Sequence, residues 1–97
     1  MTEEELKRIV ANTIALYENE TKRAATATRV MIDKLGAVEA LSRLMVSADL
    51  QKGFRVLRDK NLLERTFETI VVQNQHLFKR NIVECAQWRL DNPHRPQ

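Results

Sequence analysis

Thr2-Glu3-Glu4-Glu5-Leu6-Lys7-Arg8-Ile9-Val10-Ala11-Asn12-Thr13-Ile14-Ala15-Leu16-Tyr17 carries both a helix start and a long helical periodicity. Thr2 followed three residues later by Glu5 is a capping box, which satisfies backbone N–H groups that a helix start leaves unpaired. The acidic trio Glu3, Glu4 and Glu5 suits the positive end of the helix dipole. Leu6, Ile9, Val10, Thr13, Ile14 and Tyr17 then recur at three- and four-residue steps, which predicts a helix to about Asn19 with a single apolar stripe. Such a stripe has to be covered, so the rest of the chain must supply partner surfaces.

Those surfaces read as further helices. Asn19-Glu20-Thr21-Lys22-Arg23 is a polar break, and Ala24 to Leu35 carries helix formers up to Gly36, a glycine expected to serve as a left-handed cap. Val38, Leu41, Leu44 and Met45 mark the inner face of a third helix that runs to Val46. Ser47 and Asp49 are both candidate caps for a fourth, in which Leu50, Phe54 and Leu57 stack on one side and Asn61 takes the left-handed conformation just past the end. Thr66 caps a short fifth helix with Phe67, Ile70 and Val71 facing inward. The β-branched run Ile70-Val71-Val72 also tolerates a strand, but a lone strand would find no partner. Gln73 to Lys79 is a polar loop with Leu77-Phe78 as an apolar plug. From Arg80 to Leu90, the residues Ile82, Val83, Ala86 and Leu90 fall within about 100° of arc on a last helix.

The composition agrees with this reading. Of 97 residues, 43% are hydrophobic and 30% charged, a globular balance in a chain sized for one domain. Both prolines, Pro93 and Pro96, lie in the last five residues, so nothing between Met1 and Asn92 has to break a helix. The expected fold is therefore all-α, a compact single-domain bundle of five to six short helices over residues 1–92 with a flexible tail over 93–97. Ile9, Ile14, Leu41, Leu44, Phe54, Leu57, Phe67, Ile70, Val83 and Leu90 are its expected core. Gly53 in mid-helix costs about 1 kcal/mol relative to alanine, so another helix or a ligand is expected to cross at Gly53-Phe54.

No apolar run approaches the ~18 residues that span a bilayer, and the acidic start does not read as a secretory signal. A cytoplasmic location is expected, and Asn19-Glu20-Thr21 then has no route to glycosylation. Chemistry-bearing residues are sparse. One cysteine cannot form an internal disulfide, and Cys85 with two separated histidines, His76 and His94, does not make a metal site. Cys85 falls about 60° outside the apolar arc of the last helix and reads as a small, partly buried hydrophobe. Gly36 and Gly53 stand alone, so no glycine loop cradles phosphate. The expectation is that the chain is not an enzyme and needs no cofactor, with no small-molecule substrate evident.

Charge is more informative. Met1 to Glu20 carries a balance of −3, Thr21 to Arg65 one of +5, and Thr66 to Gln97 one of +1. On the fourth helix Lys52, Arg55 and, at the margin, Arg58 point away from the Leu50, Phe54, Leu57 stripe, although Asp49 and Asp59 dilute that face. Trp88 projects about 140° or more from Val83, Ala86 and Leu90, so it packs elsewhere or stands exposed as an interface anchor beside Gln87 and Arg89. The first reading is a non-enzymatic interaction module that docks another protein, or a second copy of itself, through a helix face. Its candidate contacts are Trp88, Arg89, Lys52, Arg55 and Arg58. The alternative is a nucleic-acid binder using Lys22, Arg23, Arg29, Lys52, Arg55 and Arg58 on phosphates. A helix-turn-helix template with Ala40, a turn at Met45 to Asp49 and Leu50 to Lys60 as recognition helix fits poorly, because Leu44 stands where a glycine is usual.

Five segments together carry a resemblance: Leu35-Gly36-Ala37-Val38-Glu39-Ala40-Leu41-Ser42-Arg43-Leu44, Gln51-Lys52-Gly53-Phe54-Arg55-Val56-Leu57, Thr66-Phe67-Glu68-Thr69-Ile70-Val71-Val72, Leu77-Phe78 and Ala86-Gln87-Trp88-Arg89-Leu90. This pattern resembles a family of small helical bacterial and phage proteins, over about Ala11 to Leu90. The resemblance implies a shared helical fold and a bacterial or phage origin, with no activity to carry over. Arg58 stands where an aromatic usually adjoins the G-F-x-x-L segment, which implies a different local surface.

Overall fold

The computed structural model describes residues 2–94, the side chains of residues 48–51 excepted. Among them are six α-helices, two 3-10 turns and no strand. Helices α1 (Glu3–Thr21), α2 (Thr26–Leu35), α3 (Ala37–Leu44) and α4 (Ala48–Asp59) come first. A 3-10 turn at Leu63–Arg65 leads to α5 (Phe67–Gln73), and a second at Gln75–Leu77 leads to α6 (Arg80–Asp91).

Local chemistry sets the boundaries. The Thr2 hydroxyl accepts from the Glu5 N–H at 3.1 Å and opens α1 as the capping pattern predicts. Glu3 does more than suit its own dipole, because its Oε1 accepts the Ala37 N–H and places a carboxylate on the positive end of α3. α1 closes on Lys22 in the left-handed conformation, φ 59° and ψ 30°. Gly36 has the expected positive φ, 84°, but an extended ψ of 163°, so it is not a left-handed helical cap. One residue thereby ends α2 and begins α3: its N–H donates to the Ile32 carbonyl and its carbonyl accepts from the Ala40 N–H. α4 begins at Ala48, which places Ser47 rather than Asp49 at the capping position. Asn61 takes φ 60° past its end, and Thr66 caps α5 by accepting from the Thr69 N–H at 3.2 Å.

α1 is the element the others gather on, packing against α2, α3, α4 and α5, while α5 pairs with α6 and α2 with α3. Leu6, Val10 and Ile14 of α1, Ala40, Leu41 and Leu44 of α3, Ile70 and Val71 of α5, and Ile82 and Ala86 of α6 share one contiguous cluster. Burying each of the larger aliphatic side chains contributes about 1.5–3 kcal/mol. Phe54 and Leu57 of α4 are buried too, yet they do not join that cluster. Of the expected core, Ile14, Leu41, Leu44, Phe54, Leu57, Phe67 and Ile70 are buried. The Leu50 side chain lies outside the described residues.

Three core expectations need correction. Ile9 is 36% exposed, because it sits at the edge of a stripe whose centre is Leu6, Val10, Thr13 and Ile14. Val83 and Leu90 are only half-buried. The buried arc of α6 is Ile82, Ala86 and Arg89, rotated from the purely apolar arc so that it takes in a charged residue.

Candidate binding cleft

Arg89, expected at a surface, is 3% exposed and forms the polar centre of the bundle. Its Nη1 donates to Glu68 Oε2 at 3.1 Å, its Nη2 donates to the Met45 carbonyl at 2.5 Å, and Nη1 also lies 3.8 Å from Met45 Sδ. Arg89 is thus removed from the candidate contacts: burying a guanidinium costs desolvation, and here the Glu68 carboxylate and the Met45 carbonyl offset it. Burial pushes the Glu68 carboxyl above its ordinary value, outweighing the backbone hydrogen bond and the Arg89 guanidinium that pull the other way. The Cys85 thiol, half-buried, donates to the same Met45 carbonyl at 3.6 Å.

Beside this centre a cleft of about 580 Å³ opens between α1 and α4 and reaches the α1–α2 turn and the start of α5. Ile14, Leu44, Phe54, Leu57 and Phe67 line it and are each nearly closed to solvent, so they form its apolar depth. Tyr17, Thr21, Thr28 and Val56 line it half-buried. Arg23 and Lys52 also line it and are exposed, which puts them where the cleft meets water. Two threonine hydroxyls of α1 are committed to backbone carbonyls: Thr13 donates to Arg65 at 3.2 Å and Thr21 to Tyr17 at 2.9 Å. The depth of the cleft thus offers apolar contact, and its opening positive charge.

The predicted contacts separate on this map. Lys52 and Arg23, assigned to different elements, are brought to one opening. Lys22 and Arg55 are exposed but do not line the cleft. Arg29 is committed to Glu18 at 2.6 Å, and that guanidinium, with the Ala25 N–H, holds the Glu18 carboxyl below its ordinary value. Arg58 donates to Asp59 at 2.8 Å and to the Pro93 carbonyl at 3.0 Å, which lowers the Asp59 carboxyl and ties the chain beyond α6 back to α4. Residues 95–97 of the expected tail lie outside those described. Trp88, 45% exposed, lies on α6 away from the cleft, which it does not line. His76 is exposed on a 3-10 turn. Among the described residues no group of His, Cys, Asp and Glu is placed to hold a metal ion, and no helix is long and apolar enough to cross a membrane.

The sequence held one signal for this cleft. Gly53 lines it, and a Cβ there would meet the Tyr17 ring. The close crossing expected at Gly53-Phe54 is therefore made by α1. Tyr17, Thr28 and Val56 carried no signal of their own, because nothing in their spacing distinguishes a cleft wall from a core face. Compared with protein-family models, with curated proteins and with solved structures, the chain matches none.

Proposed function

We propose that this chain is a non-enzymatic interaction module that docks another protein in the cleft between α1 and α4. The observation that supports the reading most is an apolar concavity between α1 and α4, walled by buried side chains and opening beside the exposed Arg23 and Lys52. Its volume falls in the range of about 300–1,000 Å³ typical of binding pockets, and a few anchor side chains in such a pocket carry most of an interface's energy. Peptide libraries displayed on phage and panned against the full chain test the reading. Val56→Glu puts a charge into the cleft at a half-buried position outside the core cluster. Selected peptides are expected to lose binding to this variant and to keep it for Trp88→Ala. The opposite pattern would move the docking surface to α6.

A nucleic-acid binder is the second reading. It is favoured by one observation: Lys22, Arg23, Lys52 and Arg55 are exposed, and among the described residues none of them has an ion-pair partner. Arg29 and Arg58, the other two candidates, are occupied by carboxylates. Binding to duplex DNA that weakens steeply with salt would support it, and no binding at low salt would remove it.

A further inference from the structure

We infer that the segment this cleft takes is an acidic amphipathic helix, with apolar anchors inward and carboxylates set toward Arg23 and Lys52. The inference rests on the docking reading above and adds the chemistry of the partner.

Shape argues for a helix. Thr13, Tyr17 and Thr21 line the cleft at four-residue steps, so they follow one side of α1 over about 12 Å at 1.5 Å rise per residue. A partner helix presents anchors at i, i+4 and i+7 over about 10.5 Å, nearly the same length. A segment added as a β-strand would need free backbone donors and acceptors along its path, and the walls here are helices whose amides are bonded internally.

Charge argues for acid. Arg23 and Lys52 flank the opening from different elements, both exposed and without an ion-pair or hydrogen-bond partner among the described residues. Among the described residues three carboxylates of this region are already paired: Glu18 with Arg29, Glu20 with Lys60 at 3.8 Å, and Glu68, which itself lines the cleft, with Arg89. Lys22 and Arg55 add exposed positive charge on the same two elements. Complementary charge at a rim sets partner choice and approach rate more than it adds raw affinity. A second copy of the chain could offer its acidic Glu3-Glu4-Glu5, but the Leu6 and Val10 that follow are fully buried in their own bundle and cannot serve as anchors.

Two designed helices of about 15 residues, the length at which an isolated helix begins to hold, test this. Both carry leucine at i, i+4 and i+7; one is flanked by glutamate, its twin by lysine. Fluorescence anisotropy with the full chain is expected to show the glutamate helix binding at least about tenfold tighter at low salt, the preference shrinking as salt rises. In the Arg23→Glu/Lys52→Glu variant, whose helicity circular dichroism should leave unchanged, the preference is expected to invert. Equal binding of the two helices, or an unaltered preference in the double variant, would overturn the inference. So would decanoate displacing an apolar dye from the cleft while neither helix does, which assigns the site to a small amphiphilic acid. A dimer that cleft substitutions dissolve would assign it to a second copy. If panned peptides of other chemistry are lost with Val56→Glu while the glutamate helix fails, the docking reading stands and only this inference falls. If no peptide depends on the cleft, both fall.

Discussion

The ring of Tyr17 occupies the space into which a side chain at Gly53 would grow: a Cβ there would lie 2.3 Å from its Cε2 and 2.8 Å from its Cζ. No methyl group fits at such distances, so the helix-propensity cost of glycine in α4 is the condition for bringing α1 and α4 this close. The same contact sets the wall of the cleft, since both residues line it.

Gly53→Ala is therefore expected to destabilise the protein by about 1–3 kcal/mol through overpacking against the ring. In a Tyr17→Ala background the same substitution should instead stabilise by up to about 1 kcal/mol, the ordinary gain of alanine over glycine in a helix. Urea unfolding of the four proteins in the cycle gives both values. The same sign and size in both backgrounds would show that the ring does not lie over Gly53.

The Glu68–Arg89 pair makes a second prediction. Arg89→Met or Glu68→Leu alone should cost about 3–5 kcal/mol, because each leaves an uncompensated buried group. The double variant should be less destabilised than either single one, although the Met45 carbonyl loses its guanidinium donor in it and keeps the Cys85 thiol. Strictly additive losses would place the two side chains out of contact.

Glu68 also gives a pH dependence with a definite sign. Its folded-state value is raised above the ordinary 4.5, so the native state holds this proton more tightly than the unfolded state does. The contribution of Glu68 to stability is present at low pH and is lost as pH rises from about 4.5 through the raised value. Glu18 and Asp59, whose values are lowered, contribute in the opposite sense, losing stability as pH falls below their ordinary range. Comparing the stability of the wild type and Glu68→Gln across this range isolates the first effect: the falling limb above pH 4.5 should be shallower in the variant. Parallel curves would contradict it.

Lys22 closes α1 in the left-handed region, where a Cβ costs roughly 1–2 kcal/mol. Lys22→Gly should raise the melting temperature, by the equivalent of up to about 1 kcal/mol once the greater freedom of the unfolded chain is subtracted. A lowered melting temperature would mean that the lysine side chain stabilises the turn by more than this strain.

Much of the architecture was readable because it is written in periodicity and caps. Thr2, Thr66 and Asn61 act where their chemistry suggests, and α5 is a helix despite its β-branched run. What escaped was set by contacts between elements. The α6 arc was misplaced because a charged Arg89 looks like a surface residue until Glu68, from another helix, arrives beside it. Lys22 gave no hint of a left-handed cap, which glycine or asparagine usually marks. Basic residues on α4 and after α1 were visible individually, but only packing shows that Arg58 and Arg29 are occupied while Arg23 and Lys52 share an opening. Trp88, the most conspicuous candidate, sits on α6, which contributes no residue to the cleft.

Docking in the cleft can be read out residue by residue from amide chemical shifts of the full chain titrated with a cleft-selected peptide. Saturable shifts are expected at Tyr17, Arg23, Thr28, Gly53 and Val56, with Trp88 and its neighbours on α6 unmoved. Shifts centred on Trp88 and sparing the α1–α4 walls would contradict it.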